Sequence, residues 1–225
     1  MFKRYAIFFT PPPGAFADFG AAWLGWDSAT GAQVPHPQIT AIDLPLLTET
    51  PRKYGFHATL KAPFHLSEGQ SPEALQAAVK EFARQHAPAP LEALAVLGTH
   101  GFVALRPTGE TASLNALAAR VVRTFDPFRA PLSSEDITRR RRSRLSPRQD
   151  QQMLNWGYPY VFEDFNFHMT LTGKVPRAQA KEVLDRVTDA FVPIIPERME
   201  LDAITLMGQD ADGKFHQLCR EPLRG

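Results

Sequence analysis

Two five-residue strings in this chain share the pattern Phe-His-x-Thr-Leu: Phe56–Leu60 and Phe167–Leu171. In an extended strand, residues i and i+2 project to one face. Each string would therefore present an imidazole beside a hydroxyl, His57 with Thr59 and His168 with Thr170. Phe56, Ala58 and Leu60, like Phe167, Met169 and Leu171, would face the other way, into apolar packing. Imidazoles titrate near neutral pH, so one of two can be neutral while the other is protonated. The neutral ring can take a proton from a nucleophile, and the protonated ring can give one to a leaving group. Two hydroxyls can hydrogen-bond the non-bridging oxygens of an anion. A phosphodiester calls for base, acid and charge support, with attacking and leaving oxygens roughly in line. Two His-x-Thr strands facing each other across a cleft would supply all three around one phosphorus.

A single His-x-Thr is a common accident. Here the two copies lie about half the chain apart, and similar elements follow each. After the first string comes a helix in "SPEALQAAVKEFARQHA", with Ser71 as its cap and Pro72 in its first position. A hairpin follows in "LEALAVLGTHGFVALRP", turning between Gly98 and Gly101. After the second string come a helix in "VPRAQAKEVLDRVTDAF" and a hairpin turning at "DADGK". Upstream, "RYAIFFT" reads as a strand stopped by Pro11–Pro13, and Gly14 to Trp26 as a helix. "DSATGAQVPHPQ" reads as a loop. "DLPLLTET" reads as a short helix capped by Asp43. "ETASLNALAARVVRTFD" reads as another amphipathic helix. The polar, arginine-rich stretch 127–157 reads as a connector with helical fragments. This order predicts an α+β fold: a single bilobal domain over residues 1–225. Lobe one spans about 1–110, the connecting helices and Arg-rich segment about 111–157, and lobe two about 158–225. Two antiparallel sheets would line a central cleft, with helices outside.

Composition narrows the function. The formal charge of +1 argues against a surface built to coat long nucleic acid. The single cysteine, Cys219, excludes an intramolecular disulfide and a cysteine-based zinc site, and fits a cytoplasmic protein. Lys3 and Arg4 before an apolar run imitate a secretion signal, but the proline triplet ends the run too soon, so a buried first strand is expected. No apolar stretch reaches membrane-spanning length.

On "HATL" (His57 to Leu60) and "HMTL" (His168 to Leu171), with the repeated order of elements around them, the chain resembles the 2H phosphoesterase superfamily. "RYAIFFTPP", "PRKYGFHATLKAPF", "RQDQQMLNWGYPYV" and "FNFHMTLTG" are similar to a branch associated with bacterial phosphonate-utilisation operons. The resemblance implies metal-independent, cofactor-free hydrolysis of a small cyclic phosphodiester. His57 and His168 would be acid and base, in either assignment, and Thr59 and Thr170 would hold the phosphoryl group. A ribose 1,2-cyclic phosphate and a 2′,3′-cyclic nucleotide both fit. The rival readings are a cyclic phosphodiesterase or ligase acting on RNA ends, and a non-catalytic binder of phosphorylated metabolites.

Further residues have a claim on the substrate. Lys61, at i+4 from His57, would share its face if the strand stayed regular. Tyr5 in the first strand would line the cleft or pack. Tyr158 in a Gly/Pro-bounded loop is the best of the aromatics flanking the motifs. Of the run Arg139 to Arg142 with Arg144 and Arg148, the last two approach the second lobe and are the preferred anion contacts. His36, His65, His86, His100 and His216 lack matching partners and read as structural, with His65 the least secure. No carboxylate spacing among them suggests a metal site.

Overall fold

The computed structural model describes residues 2–99 and 101–225. His100, read above as structural, lies outside the described residues. The chain opens with β1 (Arg4–Phe9) and α1 (Ala15–Leu24). A two-stranded ribbon, β2 (Trp26–Asp27) and β3 (Ala32–Gln33), occupies part of the stretch expected to be loop. Two single-turn helices follow, α2 (Leu44–Leu47) and α3 (Glu49–Arg52). Asp43 caps the first by accepting from the Leu46 N–H, as its place before Pro45 predicts. Then come β4 (Ala58–Phe64) and α4 (Pro72–Gln85). The Ser71 hydroxyl accepts from the Ala74 N–H at 3.1 Å, and Leu75, Val79 and Phe82 bury one stripe of the helix.

A short strand β5 (Ala89–Leu91) precedes the hairpin β6 (Leu94–Thr99) and β7 (Phe102–Pro107). Helix α5 (Ala112–Thr124) follows. The arginine-rich connector contains α6 (Ser134–Arg141) and α7 (Pro147–Trp156). The second of these starts in a reciprocal cap between Ser146 and Gln149. The second half runs through β8 (Met169–Thr170), α8 (Ala180–Phe191), β9 (Met199–Leu201) and the hairpin β10 (Ala203–Gln209) and β11 (Phe215–Pro222). Motif strand, helix and hairpin thus recur as β4, α4, β6–β7 and as β8, α8, β10–β11.

The strands expected to form two sheets form one. Seven of them make an antiparallel sheet in the order β11-β10-β1-β4-β8-β7-β6. The reason is that the motif strands pair directly, through Ala58 opposite Met169. Each hairpin then pairs across the chain: β7 lies beside β8, and β10 lies beside β1. Joining the two sets buries two edges that separate sheets would leave open.

One face of the sheet carries the core. Tyr5, Ile7, Phe9, Leu60, Leu105, Met169 and Leu206 pack there against α1, α4, α5 and α8. Burying a Leu or Phe side chain contributes about 1.5–3 kcal/mol. Gly20 lets α1 approach closely, because a Cβ there would lie 2.0 Å from the Phe56 ring. The Trp23 indole N–H donates to the Leu171 carbonyl at 2.9 Å, tying α1 to the second motif. The other face holds a smaller apolar group, Ala6, Phe8, Met207 and Phe215, with Tyr54 against it. This second face is the floor of the cleft.

Candidate active site

Each motif histidine is fixed by the same local device. His57 Nδ1 donates to the Gly55 carbonyl at 2.8 Å, and His168 Nδ1 donates to the Asn166 carbonyl at 2.8 Å. A donor at Nδ1 makes the neutral ring's Nε2 the acceptor, so both rings are held in the tautomer a general base needs. Gly55 sits at φ 77°, in the left-handed region, and a Cβ there would meet the Ser28 hydroxyl at 2.7 Å. That glycine aims the carbonyl that anchors His57. The His57 Nε2 accepts from the Thr59 hydroxyl at 3.1 Å. His168 Nε2 has no hydrogen bond among the described residues.

His57, Thr59 and Thr170 line a cavity of ≈ 680 Å³ together with Tyr54, His65 and Tyr158. His168 lines a neighbouring one of ≈ 420 Å³ with Phe102, Arg106 and Tyr160. The two share Thr59, Ala62 and Tyr158 and so make one cleft. The four motif side chains expected to converge are therefore brought to a common space, and the charge of His168 acts on the His57 ring.

The surroundings differ. The His57 ring stacks on Phe8 at 3.9 Å between centroids and lies nearly parallel to Tyr54 at 5.8 Å. Burial among these groups lowers its pKa to about 4; the Gly55 hydrogen bond opposes that shift and His168 adds to it. His168 is lowered too, first by burial and then by the nearby Arg106 guanidinium, against the Asn166 hydrogen bond. Its ring meets Phe102 at 5.9 Å, tilted.

The other expected contacts fare unequally. Tyr158 lies at the centre of the cleft, with its hydroxyl pKa pushed up to about 12 by burial. Lys61 leaves the His57 face. Ile7 pairs with Lys61 and Phe8 with Thr59, so Leu60 is an extra residue in β4 and the alternation inverts at Lys61, until a second shift brings Phe64 opposite Tyr5. The ammonium group is turned into the protein, where it donates to the Val122 carbonyl and Asp126 at 3.1 Å each. Burial lowers its pKa to about 8 even beside that carboxylate. Tyr5 is buried in the helix-side core, not in the cleft, because Arg4, Ala6 and Phe8 hold the cleft face of β1. Arg148 lines neither cavity and makes a two-pronged pair, at 2.8 and 3.0 Å, with Asp164 on the wall of the smaller one. Arg144 is exposed in the turn after α6, at φ 52°, and lines neither cavity.

Several cleft residues escape a reading of the sequence. Arg139 and Arg140 line the larger cavity in place of Arg144 and Arg148. Arg4 reaches it from β1, and Arg106 reaches the smaller one from β7. Strict alternation along "RYAIFFT" and "FVALRP" would have put Arg4 with Phe8, and Arg106 with Ala104, on one face. His65 also lines the larger cavity, against its reading as structural. His36, His86 and His216 are engaged by the Trp23 carbonyl, the Phe82 carbonyl and the Asp210 carboxylate. Among the described residues no three His, Cys, Asp or Glu side chains group to hold a metal ion. No helix among them is long and apolar enough to cross a membrane.

Fold and site together define an α+β protein with a seven-stranded antiparallel sheet and a paired His-x-Thr cleft on its open face. Residues 59–216 match the family described as "Protein of unknown function (DUF1045)", and the chain belongs to that family. It is 36% identical over 233 residues to a protein of Janthinobacterium sp. (strain Marseille) named ribose 1,5-bisphosphate phosphokinase PhnN, covering 99% of this chain and 51% of that one. It is 34% identical over 219 residues to a protein of the same name from Laribacter hongkongensis (strain HLHK9), covering 96% of this chain and 51% of that one. The chain thus spans about half the length of these curated relatives. A solved structure, TT0787 of Thermus thermophilus, aligns over 99% of this chain and 98% of its own at a TM-score of 0.41 and 14% identity.

Proposed function

We propose that this protein is a phosphoesterase of the 2H type that opens a small cyclic phosphodiester, with His57 as general base and His168 as general acid. The observation that carries the reading is the matched anchoring of the two rings, Nδ1 to a carbonyl two residues back at 2.8 Å in each, in a cleft shared by both threonines. His57 has the more enclosed ring and its Nε2 already accepts a hydrogen bond, which suits the base. In the step, a water oxygen bonds to phosphorus while His57 Nε2 takes the water proton. The bond from phosphorus to one ring oxygen breaks, and that oxygen receives the proton of His168. The product is a phosphate monoester, and proton exchange with solvent resets the pair. Thr59 and Thr170 steady the non-bridging oxygens.

The bilobal, duplicated 2H architecture belongs to the same proposal, supported by the repeated order of motif strand, helix and hairpin. So does a role in phosphonate metabolism, supported by the names of the relatives and by the resemblance of the motif-flanking strings. The string nearest a phosphate-binding P-loop, Gly208 to Lys214, continues with Phe215 where that loop needs Ser or Thr, and it forms a hairpin turn. This favours placing the kinase activity in the half of the relatives that this chain does not span. The chemistry links the two halves. Breaking the P–O2 bond of a ribose 1,2-cyclic phosphate bearing a 5-phosphate leaves ribose 1,5-bisphosphate, the compound in the relatives' name. The test is a phosphorus NMR screen of ribose 1,2-cyclic phosphates and 2′,3′-cyclic nucleotides with chelator present. Ring opening lost in both His57→Ala and His168→Ala is expected, and opening retained in either would refute the assignment.

A further inference from the structure

We propose that the end of the cleft held by Arg4 and Arg140 is a separate binding site for a second phosphate, a terminal phosphate monoester on the substrate. The ligand's remainder is taken from the cyclic-phosphodiester reading above; the anion site itself stands on its own geometry. Arg140 projects from α6 into the cavity that also holds His57 and Thr170. Its guanidinium lies over the Tyr158 ring at 5.5 Å. Its Nε is shut off from solvent and has no hydrogen-bond partner among the described residues. The Asp136 carboxylate attracts this guanidinium but makes no hydrogen bond to it among the described residues, and a largely desolvated cation so placed favours a further anion at its terminal nitrogens. Arg4 enters the same cavity from β1, with Nε committed to Gln209 at 2.6 Å and its two terminal nitrogens without a hydrogen bond among the described residues. The carboxylate of Asp136 lines the cavity but is already engaged by Arg139 and Ser133. Lys3, at the rim, donates to the Ala211 carbonyl at 3.1 Å.

Two arginines with uncommitted donors therefore point at one pocket that its own carboxylate does not neutralise. Planar guanidinium forks match a phosphate dianion. The geometry favours one compact anion over an RNA strand. A strand needs a continuous basic track, and here the run is broken: Arg141 is paired with Asp150, and Arg148 with Asp164.

The experiment is calorimetric titration with ribose 5-phosphate, which carries the terminal phosphate and no cyclic ester. The wild type should bind it, and His57→Ala should bind it as well. Arg140→Gln and Arg4→Gln should each weaken binding about 10- to 100-fold, the cost of losing a charged hydrogen bond. Arg148→Gln should not. Thermal melts establish that the Arg140 and Arg4 variants are folded; if one melts early, Arg140→Lys replaces it and should recover part of the affinity. Equal binding by wild type and Arg140→Gln, or no binding by the wild type, would overturn the site. So would tighter binding of an oligonucleotide ending in a 2′,3′-cyclic phosphate than of the sugar phosphate. Arginine-dependent binding without any turnover of cyclic phosphates would leave this site standing and remove the catalytic reading.

Discussion

The two motif histidines share an anchor but not a setting. His57 precedes a seven-residue strand near the middle of the sheet, lies flat against Phe8, and shares its Nε2 with Thr59. His168 precedes a strand of two residues. Beyond Thr170 the Leu171 and Thr172 N–H groups both turn to the Val103 carbonyl, at 2.9 and 3.2 Å, and the Thr172 hydroxyl accepts from the Val103 N–H, so the ladder stops there. The second ring feels the charge of the Arg106 guanidinium and meets a tilted Phe102. A duplicated motif thus supplies one enclosed, pre-positioned imidazole and one more loosely framed. That is the asymmetry an acid–base pair needs, because two identical sites would titrate alike.

The largest expected effect comes from removing either ring. His57→Ala and His168→Ala should each lower kcat/KM for a cyclic phosphodiester by about 100- to 10,000-fold. Far-UV circular dichroism should stay unchanged, since neither ring carries the helix-side core. A loss confined to one histidine would mean that the two halves are not a catalytic pair.

The pH behaviour sharpens the contrast. The base must be neutral, which holds above about pH 4 for His57. The acid must be protonated, which holds only below the lowered pKa of His168. The kcat/KM profile should therefore peak on the acid side of pH 6.5 and fall in His57-dependent fashion towards pH 4. Stability follows the same ring. Its folded pKa lies below the unfolded 6.5, so the unfolded chain takes up the proton first. The contribution is complete above about pH 6.5 and is lost as pH falls towards 4, by on the order of 3 kcal/mol. Urea titrations of wild type and His57→Gln across that window should diverge, with the variant flatter.

A smaller effect distinguishes the residues four places after each histidine. Lys61→Ala leaves the Val122 carbonyl without its donor and strips one cation from Asp126, which keeps Arg129. It should cost about 2–3 kcal/mol in urea unfolding, with kcat/KM of the folded protein little changed. A selective loss of kcat would put Lys61 back in the cleft. The smallest effect is expected of Arg148→Ala, which breaks an exposed ion pair and should leave both the urea midpoint and the substrate KM nearly unchanged.

Much of this is legible in the residues. The Ser71 and Asp43 caps and the hairpin at residues 210–214 each rest on short-range rules of turn and cap chemistry, and each appears as expected, whereas the strand read around His168 shrinks to Met169–Thr170. Lys61 escapes the strand rule because the extra residue Leu60 inverts the alternation until a second shift before Phe64, and nothing in "HATLKAPF" signals either irregularity. The merging of two sheets into one depends on Ala58 meeting Met169 from the far half of the chain, a pairing no local pattern encodes. The arginine run shows composition without direction. Helix α6 turns Arg140 inward, while Asp164 draws Arg148 away.

The most direct test of the central claim is single-turnover ring opening in ¹⁸O-labelled water, followed by mass spectrometry and phosphorus NMR. The substrate is a 5-phosphorylated ribose 1,2-cyclic phosphate, and the proteins are wild type, His57→Ala and His168→Ala. The account predicts one labelled oxygen in a ribose 1,5-bisphosphate product from the wild type and none from either variant. Labelled product at wild-type rates from either variant, or an intact ring with all three proteins, would contradict it.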